Sequence, residues 1–276
     1  MVSINSNYAA TFAAKAAKQT TTELNSAMEK LSTGKRINYA RDDAAGQAIA
    51  VRLTAEIQGL AMASRNASDA QSLVDTAEGA LMETQTLLLR MRELAVQASN
   101  GTLAAADRKA LETEAQSLEA EITRIADTTS WAGTMLLDSS LSEGITFQAG
   151  TKSGHTITID IPEMSMSAAT INYVAAFSIG AFTNAQSAIT RLDQALSGVA
   201  TVRGNLGGIS NRLNSTIANM DQVRVNLSAS QGRIEDADFA TETGNLAKNQ
   251  ILQQAAIAII TQANASKGTV LSLLQN

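Results

Sequence analysis

The residues able to do chemistry are few. His155 is the only histidine among 276 residues, and there is no cysteine. A histidine that binds a metal or moves a proton needs partners. His155 has no second histidine and no thiol to join it, and beside Thr156 it reads as a surface turn residue. The lack of cysteine also excludes disulfides, zinc–thiolate sites and cysteine nucleophiles. Asp42 and Asp43 are adjacent carboxylates, but in front of Ala44-Ala45 they are better placed to cap a helix than to hold a metal or share a proton. Gly204-Asn205-Leu206-Gly207-Gly208 has the glycine content of a phosphate loop, yet it falls inside a helical pattern and follows no strand. Asn66-Ala67-Ser68 and Asn214-Ser215-Thr216 fit the glycosylation acceptor pattern, but both lie on heptad helices rather than in surface loops. No nucleophile elbow, Walker loop, H-E-x-x-H or G-x-G-x-x-G is present. The expectation is a protein without catalytic, metal or cofactor-binding residues, and not an enzyme.

The elements around these residues say more. Hydrophobic residues make up 45% of the chain but aromatics only 3%, and Pro162 is the single proline. Such a composition suits long helices in thin, close layers better than a thick core built on rings. Net charge is −5 with no basic block, so there is no electrostatic footprint for nucleic acid. No run of about 18 apolar residues occurs, and no membrane span is expected. The start lacks a basic segment and an apolar core, so no cleaved signal peptide is expected.

Apolar residues recur at 3-4 spacing through Leu60, Ala63, Ala67, Ala70, Val74, Ala77, Leu81, Thr84, Leu88, Met91 and Ala95. Backwards, the register meets Glu56 and recovers Leu53 and Ile49. This predicts a coiled-coil-like helix over about 43–99, capped by Asp42 or Asp43 and ended at Asn100-Gly101, roughly 85 Å long at ~1.5 Å per residue. A second helix after Asp107 carries Leu111, Ala115, Leu118, Ile122 and Ile125, antiparallel to the first across a short link. A third stripe reads Phe182, Ala185, Ile189, Leu192, Leu196, Val199, Arg203, Leu206, Ser210, Leu213, Ile217, Met220, Arg224 and Leu227. The glycines at 204, 207 and 208 within it permit either close helix approach or a bend. Between helices the period drops to two. Ile145, Phe147 and Ala149, then Ile157, Ile159 and Ile161, predict a β-hairpin around Gly150–Gly154, with an irregular return over 163–176.

Both ends of the sequence are poor in charge. Ile4, Tyr8 and Phe12 form one stripe, and Leu24, Met28 and Leu31 another. At the other end Ile251, Leu252, Ala256, Ile259, Leu271 and Leu274 are spread over a helix that Asp236 or Asp238 caps. Two such helices can pair, bringing both ends of the chain together. The fold class expected is mainly α: an elongated coiled-coil-like helical rod with both termini at one end and a small β-hairpin element in the middle of the sequence.

Specific words then go beyond spacing. "LSTGKRINYARDDAAGQAIAVRL" (31–53), "RNASDAQSLVDTAEGAL" (65–81) and "RMRELAVQASNGT" (90–102) resemble the N-terminal half of bacterial flagellins. "NRLNSTIANMDQVRVNLSASQGRIEDADFATET" (211–243) and "QILQQAAIAIITQAN" (250–264) resemble the C-terminal half, in the right order. The resemblance implies a structural subunit that self-assembles into the bacterial flagellar filament for swimming motility. It implies inner-tube terminal helices at 1–42 plus 235–276, holding Ile4, Tyr8, Phe12, Leu24, Met28, Leu31, Ile251, Leu252, Ala256, Ile259, Leu271 and Leu274. A rod of long helices would span 43–130 plus 177–234. Only 131–176 is left for a small β-hairpin region, as in a short form lacking large outer domains.

The implied partners are further copies of itself, a flagellar export chaperone, a cap protein and junction proteins. Localisation would be extracellular, in the flagellum filament, after export in unfolded form. The resemblance also implies a patch of Arg90, Leu94 and Glu114, with Arg92 and Glu93 beside them, that makes subunit contacts and is read by the vertebrate Toll-like flagellin receptor. Leu89 stands where the family often has glutamine, and Trp131-Ala132-Gly133 where Phe-Asn-Gly is frequent. "ASKGTV" departs from a commoner link, leaving Lys267 at a helix break or facing the channel. A hook–filament junction protein, which has similar terminal helices, and a coiled-coil adaptor or signalling rod remain the alternatives at this point.

Overall fold

The structure, a computed structural model, describes residues 6–138, 140–141, 143–165 and 177–275, with side chains as far as residue 269. Ile4 lies outside the described residues, as do the side chains of Leu271 and Leu274 and most of the expected return segment, 166–176. The elements run α1 (Tyr8–Thr33), α2 (Ala44–Ala98), α3 (Ala105–Thr128), β1 (Ser130–Trp131), β2 (Thr134–Met135), β3 (Ile145–Gln148), β4 (Thr156–Ile159), α4 (Phe182–Glu235) and α5 (Phe239–Gln275). The protein is mainly helical, with two antiparallel hairpins, β1–β2 and β3–β4. The chain divides into two compact units, 1–57 with 225–276, and 58–224.

In the 58–224 unit, every position from Leu60 to Ala95 in the predicted α2 stripe is buried. Thr84 fits there because its hydroxyl donates to the Ala80 carbonyl, 3.0 Å away, within its own helix. On α4, Ala185, Leu192, Val199, Leu206, Leu213 and Met220 are buried at seven-residue steps. The other half of the predicted α4 stripe is shifted. Phe182 is exposed and Ile189 and Leu196 are half-buried, while Ala188, Ala195 and Val202 take the buried places. The small side chains let α4 approach along that line, which a stripe of larger residues would not. The three glycines at 204, 207 and 208 lie within continuous helix, and a Cβ at any of them meets nothing within 4 Å, so close helix approach does not explain them.

On α3 the buried residues are Glu112, Ala115, Ile122 and Ala126, so Leu111, Leu118 and Ile125 sit one position off the core line. The cause is Glu112, whose carboxylate turns inward to accept from the Ser178 hydroxyl at 2.6 Å and from Lys109 Nζ at 2.7 Å. Asp107 lies inside α3 rather than before it, and accepts the Ala104 N–H at 3.2 Å. Arg108 reaches back to the carbonyls of Ala98 and Asn100, at 3.0 and 3.1 Å, and closes the end of α2.

Hairpin β3–β4 pairs Ile145 with Ile159 and Phe147 with Ile157, as the alternation predicts. It is tied to α2 where Asn66 Nδ2 donates to the Gln148 carbonyl at 3.2 Å. His155 is exposed in its loop, its carbonyl accepting from Ala149 at 2.9 Å. The sequence reading missed β1–β2, whose two-residue turn places Ala132 at φ 49° and Gly133 at φ 85°. Two positive φ values in a row are what a tight hairpin needs, and asparagine rather than alanine is the usual first residue.

In the other unit, the backward extension of the α2 stripe changes register: Ile49 is exposed and Ala50 buried. Asp43 caps α2 through Gly46 N–H at 2.9 Å, while Asp42 Oδ2 accepts from Asn38 and Tyr39 at 3.1 and 2.9 Å. Those backbone donors, Tyr39 foremost, hold the Asp42 carboxyl below its ordinary range. Asp238, not Asp236, caps α5, accepting from Ala240 N–H at 2.9 Å. Helix α5 continues without a break through Lys267, which is half-buried.

Candidate functional site

Asparagine 7 caps α1 and also reaches α5, donating from Nδ2 to the Ala263 carbonyl and to Asn264 Oδ1, both at 3.2 Å. Farther along, Gln253 Nε2 donates to Thr21 Oγ1 at 3.2 Å, and Lys30 pairs with Glu242 at 3.3 Å. As residue numbers rise on α1 they fall on α5, so the helices are antiparallel and packed along their length. Their seam is made of small or polar side chains: Ala13, Thr20 and Ala27 from α1, and Glu242, Asn249, Ala256 and Ala263 from α5.

The large apolar residues lie elsewhere. Tyr8 and Phe12 are each 76% exposed, Ile251 66% and Ile259 56%, with Met28, Leu252 and Ile257 also exposed. Leu24 and Leu31 are half-buried. Of the expected terminal-helix residues with described side chains, only Ala256 is buried by this pairing. The sequence reading paired the two helices but assigned no residues to their seam. Alanine was the available signal: small residues let helix axes come close. Phe12, Leu252 and Ile259 instead wall a shallow apolar groove with Ala13, Ala16, Thr20, Ala255 and Ala256.

The loops that join these helices to α2 and α4 hold one another. Ala237 N donates to the Gly34 carbonyl at 2.9 Å, and the Arg36 side chain donates to the Ile234 carbonyl at 2.8 Å. Lys35 pairs with the buried Glu235 at 3.0 Å. Gly34 sits at φ 71°, in the left-handed turn that ends α1.

The second surface lies on the 58–224 unit. Arg90 donates to Glu114 Oε1 at 2.8 Å and to Glu93 Oε2 at 2.9 Å, joining α2 to α3. These partners, Glu114 first, raise the already high pKa of the guanidinium. Arg92 turns the other way, to Asp193 of α4 at 2.6 Å. Leu94 is 1% exposed and packs in the core, so it supports the patch from beneath and does not present itself at the surface. Leu89 is exposed at the position where glutamine was expected.

Residues 4–142 match the bacterial flagellin N-terminal helical region, and residues 189–274 match the bacterial flagellin C-terminal helical region. The chain belongs to the bacterial flagellin family. It is 47% identical to a flagellin of Halalkalibacterium halodurans over 90% of this chain and 91% of that one. It is 36% identical to a flagellin of Treponema pallidum, over 99% of each chain. Among solved structures it resembles Bacillus cereus flagellin at TM-score 0.50 and 33% identity, covering 56% of this chain and 88% of that one. A flagellar hook-associated protein from Vibrio parahaemolyticus gives TM-score 0.62 over 71% of this chain and 100% of that one, at 16% identity; that likeness shows the shared fold alone.

This flagellin is therefore a structural subunit of the flagellar filament, and so part of an extracellular flagellum. Among its described residues no group of three or more His, Cys, Asp or Glu could hold a metal, and no helix is long and apolar enough to cross a membrane.

Proposed function

We propose that the α1–α5 pair is the surface through which subunits of this flagellin join, and that the pair becomes ordered only as they do. The observation that carries this is the placement of Tyr8, Phe12, Ile251 and Ile259 outside the helix seam. In one chain the seam satisfies the small residues and leaves the large ones in water. Further copies of the same pair remove that surface, at ~25 cal/mol for each Å² buried, against the cost of ordering two helices. Head-to-tail docking of identical copies through a rotation that does not close yields an open helical filament. Terminal helices at 1–42 and 235–276 then line an inner tube, the long helices at 43–130 and 177–234 surround it, and 131–176 is the whole of the outward β region.

The same reading covers the remaining partners. The apolar terminal segments are what an export chaperone would shield before assembly. Export in unfolded form through the flagellar channel agrees with a chain that has no disulfide to break, and addition beneath a cap protein and onto junction proteins follows. Arg90, Glu93 and Glu114 supply the charged part of a contact patch, read either by the next subunit or by the vertebrate Toll-like receptor, with Arg92 at its border and Leu94 as support.

Replacing Phe12 and Ile259 together by glutamine tests the assembly surface. The expected product sediments as monomer and keeps the parent's circular dichroism, but gives no filaments in electron micrographs at concentrations where the parent does. Filaments at the parent's concentration contradict the reading.

A further inference from the structure

The α2–α4 seam of the 58–224 unit repeats itself every seven residues. On α2 the repeats are Leu60, Ala67, Val74, Leu81, Leu88 and Ala95, and Ala63, Ala70 and Ala77. On α4 they are Ala185, Leu192, Val199, Leu206, Leu213 and Met220. A seam of this kind looks nearly the same after one helix slides by a heptad, a rise of ~10.5 Å. Its apolar residues do little to distinguish the native register from its neighbours.

A polar row beside the seam does distinguish them. Gln71, Glu78, Gln85 and Arg92 follow one another on α2 at the same seven-residue step, all half-buried. Facing them, Ser210 accepts from Gln71 Nε2 at 2.8 Å, and Asp193 accepts from Arg92. Between these, Arg203 spans two rungs. Its Nε and Nη2 donate to Glu78 Oε1 at 2.8 and 2.6 Å, and its Nη1 donates to Gln85 Oε1. Gln71 Oε1 and Glu78 Oε2 are buried with no donor among the described residues.

A row with unfilled acceptors is a poor source of stability, since each orphaned oxygen carries a desolvation cost. Its value lies in being unequal along its length. Three long acceptors stand in line, and only the middle one is charged. A slide by one heptad in one direction would set the guanidinium between Gln85 and Arg92 and strand the Glu78 carboxylate without its cation. In the other direction it would set the guanidinium between Gln71 and Glu78, giving its two-nitrogen contact to a neutral glutamine and leaving Gln85 without its donor.

We propose that the Arg203–Glu78–Gln85 rung is a register lock: it selects one of several near-equivalent alignments of α4 on α2, and so positions the outward faces of both helices. The inference stands apart from the assembly reading, because it concerns one chain by itself.

The absence of cysteine makes the register directly readable by thiol cross-linking in the full chain. Arg92→Cys with Asp193→Cys reports the native alignment. Arg92→Cys with Gln186→Cys or with Ala200→Cys reports a slide of one heptad in either direction. With a short bifunctional thiol reagent, the otherwise native chain is expected to cross-link only through the 92/193 pair. Adding Arg203→Met should raise one of the slipped products at least tenfold relative to the native product. The reversed rung, Glu78→Arg with Arg203→Glu, should return cross-linking to 92/193. If Arg203→Met does not fold, Glu78→Gln is read with the same three reporters and should raise a slipped product several-fold. Cross-linking confined to 92/193 in the decisive variant overturns the proposal. So does a reversed rung that leaves the slipped products in place, because the effect would then come from lost packing around Arg203 rather than from the pairing.

Discussion

Arg90 and Leu94 are four residues apart on α2, and the patch they were expected to share treats them differently. Arg90 and Glu114 are about half-exposed, and ion pairs of that kind contribute ~0–1 kcal/mol. Arg90→Ala should therefore change monomer unfolding by less than about 1 kcal/mol while still disturbing whatever docks there. Leu94→Ala empties a core site and should cost about 2–5 kcal/mol in denaturant unfolding of the monomer. Equal losses for both would mean that the side chains are not placed as described. Glu112 gives a pH prediction. Lys109 first, then Ser178, hold its carboxyl below the ordinary range. A depressed folded pKa adds stability above the unfolded value of about 4.3, and that stability is lost as pH falls through the folded value. The stability gap between the parent and Glu112→Gln, followed by thermal unfolding, should thus be present at neutral pH and shrink on acidification below about pH 4. Ala132 is the reverse case, a residue that its own backbone disfavours at φ 49°. Ala132→Asn should add roughly 0.5–1 kcal/mol to the unfolding free energy if the β1–β2 turn keeps its shape.

Among the elements, the α2 stripe from Leu60 to Ala95 was legible because a heptad pattern fixes which face is buried without reference to any partner, whereas its backward extension through Ile49 was not. The α3 stripe was legible only at Ala115 and Ile122. Glu112 reads as a solvent residue, and its partner Ser178 lies on a distant segment that no local pattern connects to it. The long stripe on α4 was half legible: aliphatic size pointed to Ile189 and Leu196, but close approach chose Ala188, Ala195 and Val202. The loop contacts between 34–36 and 234–237 were invisible for the same reason as Ser178, since each segment makes sense only beside the other. They predict that Arg36→Ala, which removes the donor to the Ile234 carbonyl, speeds hydrogen exchange at the Ala237 amide by about tenfold, the equivalent of ~1.4 kcal/mol. Unchanged exchange would show that the loops hold without that side chain.

For the molecule as a whole, the sequence reading expected the terminal helices to pair and to expose apolar surface that one chain does not bury, and the structure pairs α1 with α5 and leaves Tyr8, Phe12, Ile251 and Ile259 exposed. The spacing alone did not show which side of each helix meets the other, because alanines and large residues alternate around both; in the single chain Phe12 and Ile259 are exposed. The central claim is that this outward face drives polymerisation. The most direct measurement compares the full chain with one ending at residue 248, by electron microscopy at concentrations where the full chain forms filaments and by circular dichroism in the monomer. The shortened chain should remain a soluble, helical monomer and form no filaments. Filaments from it that match the full chain's in length and number would contradict the account.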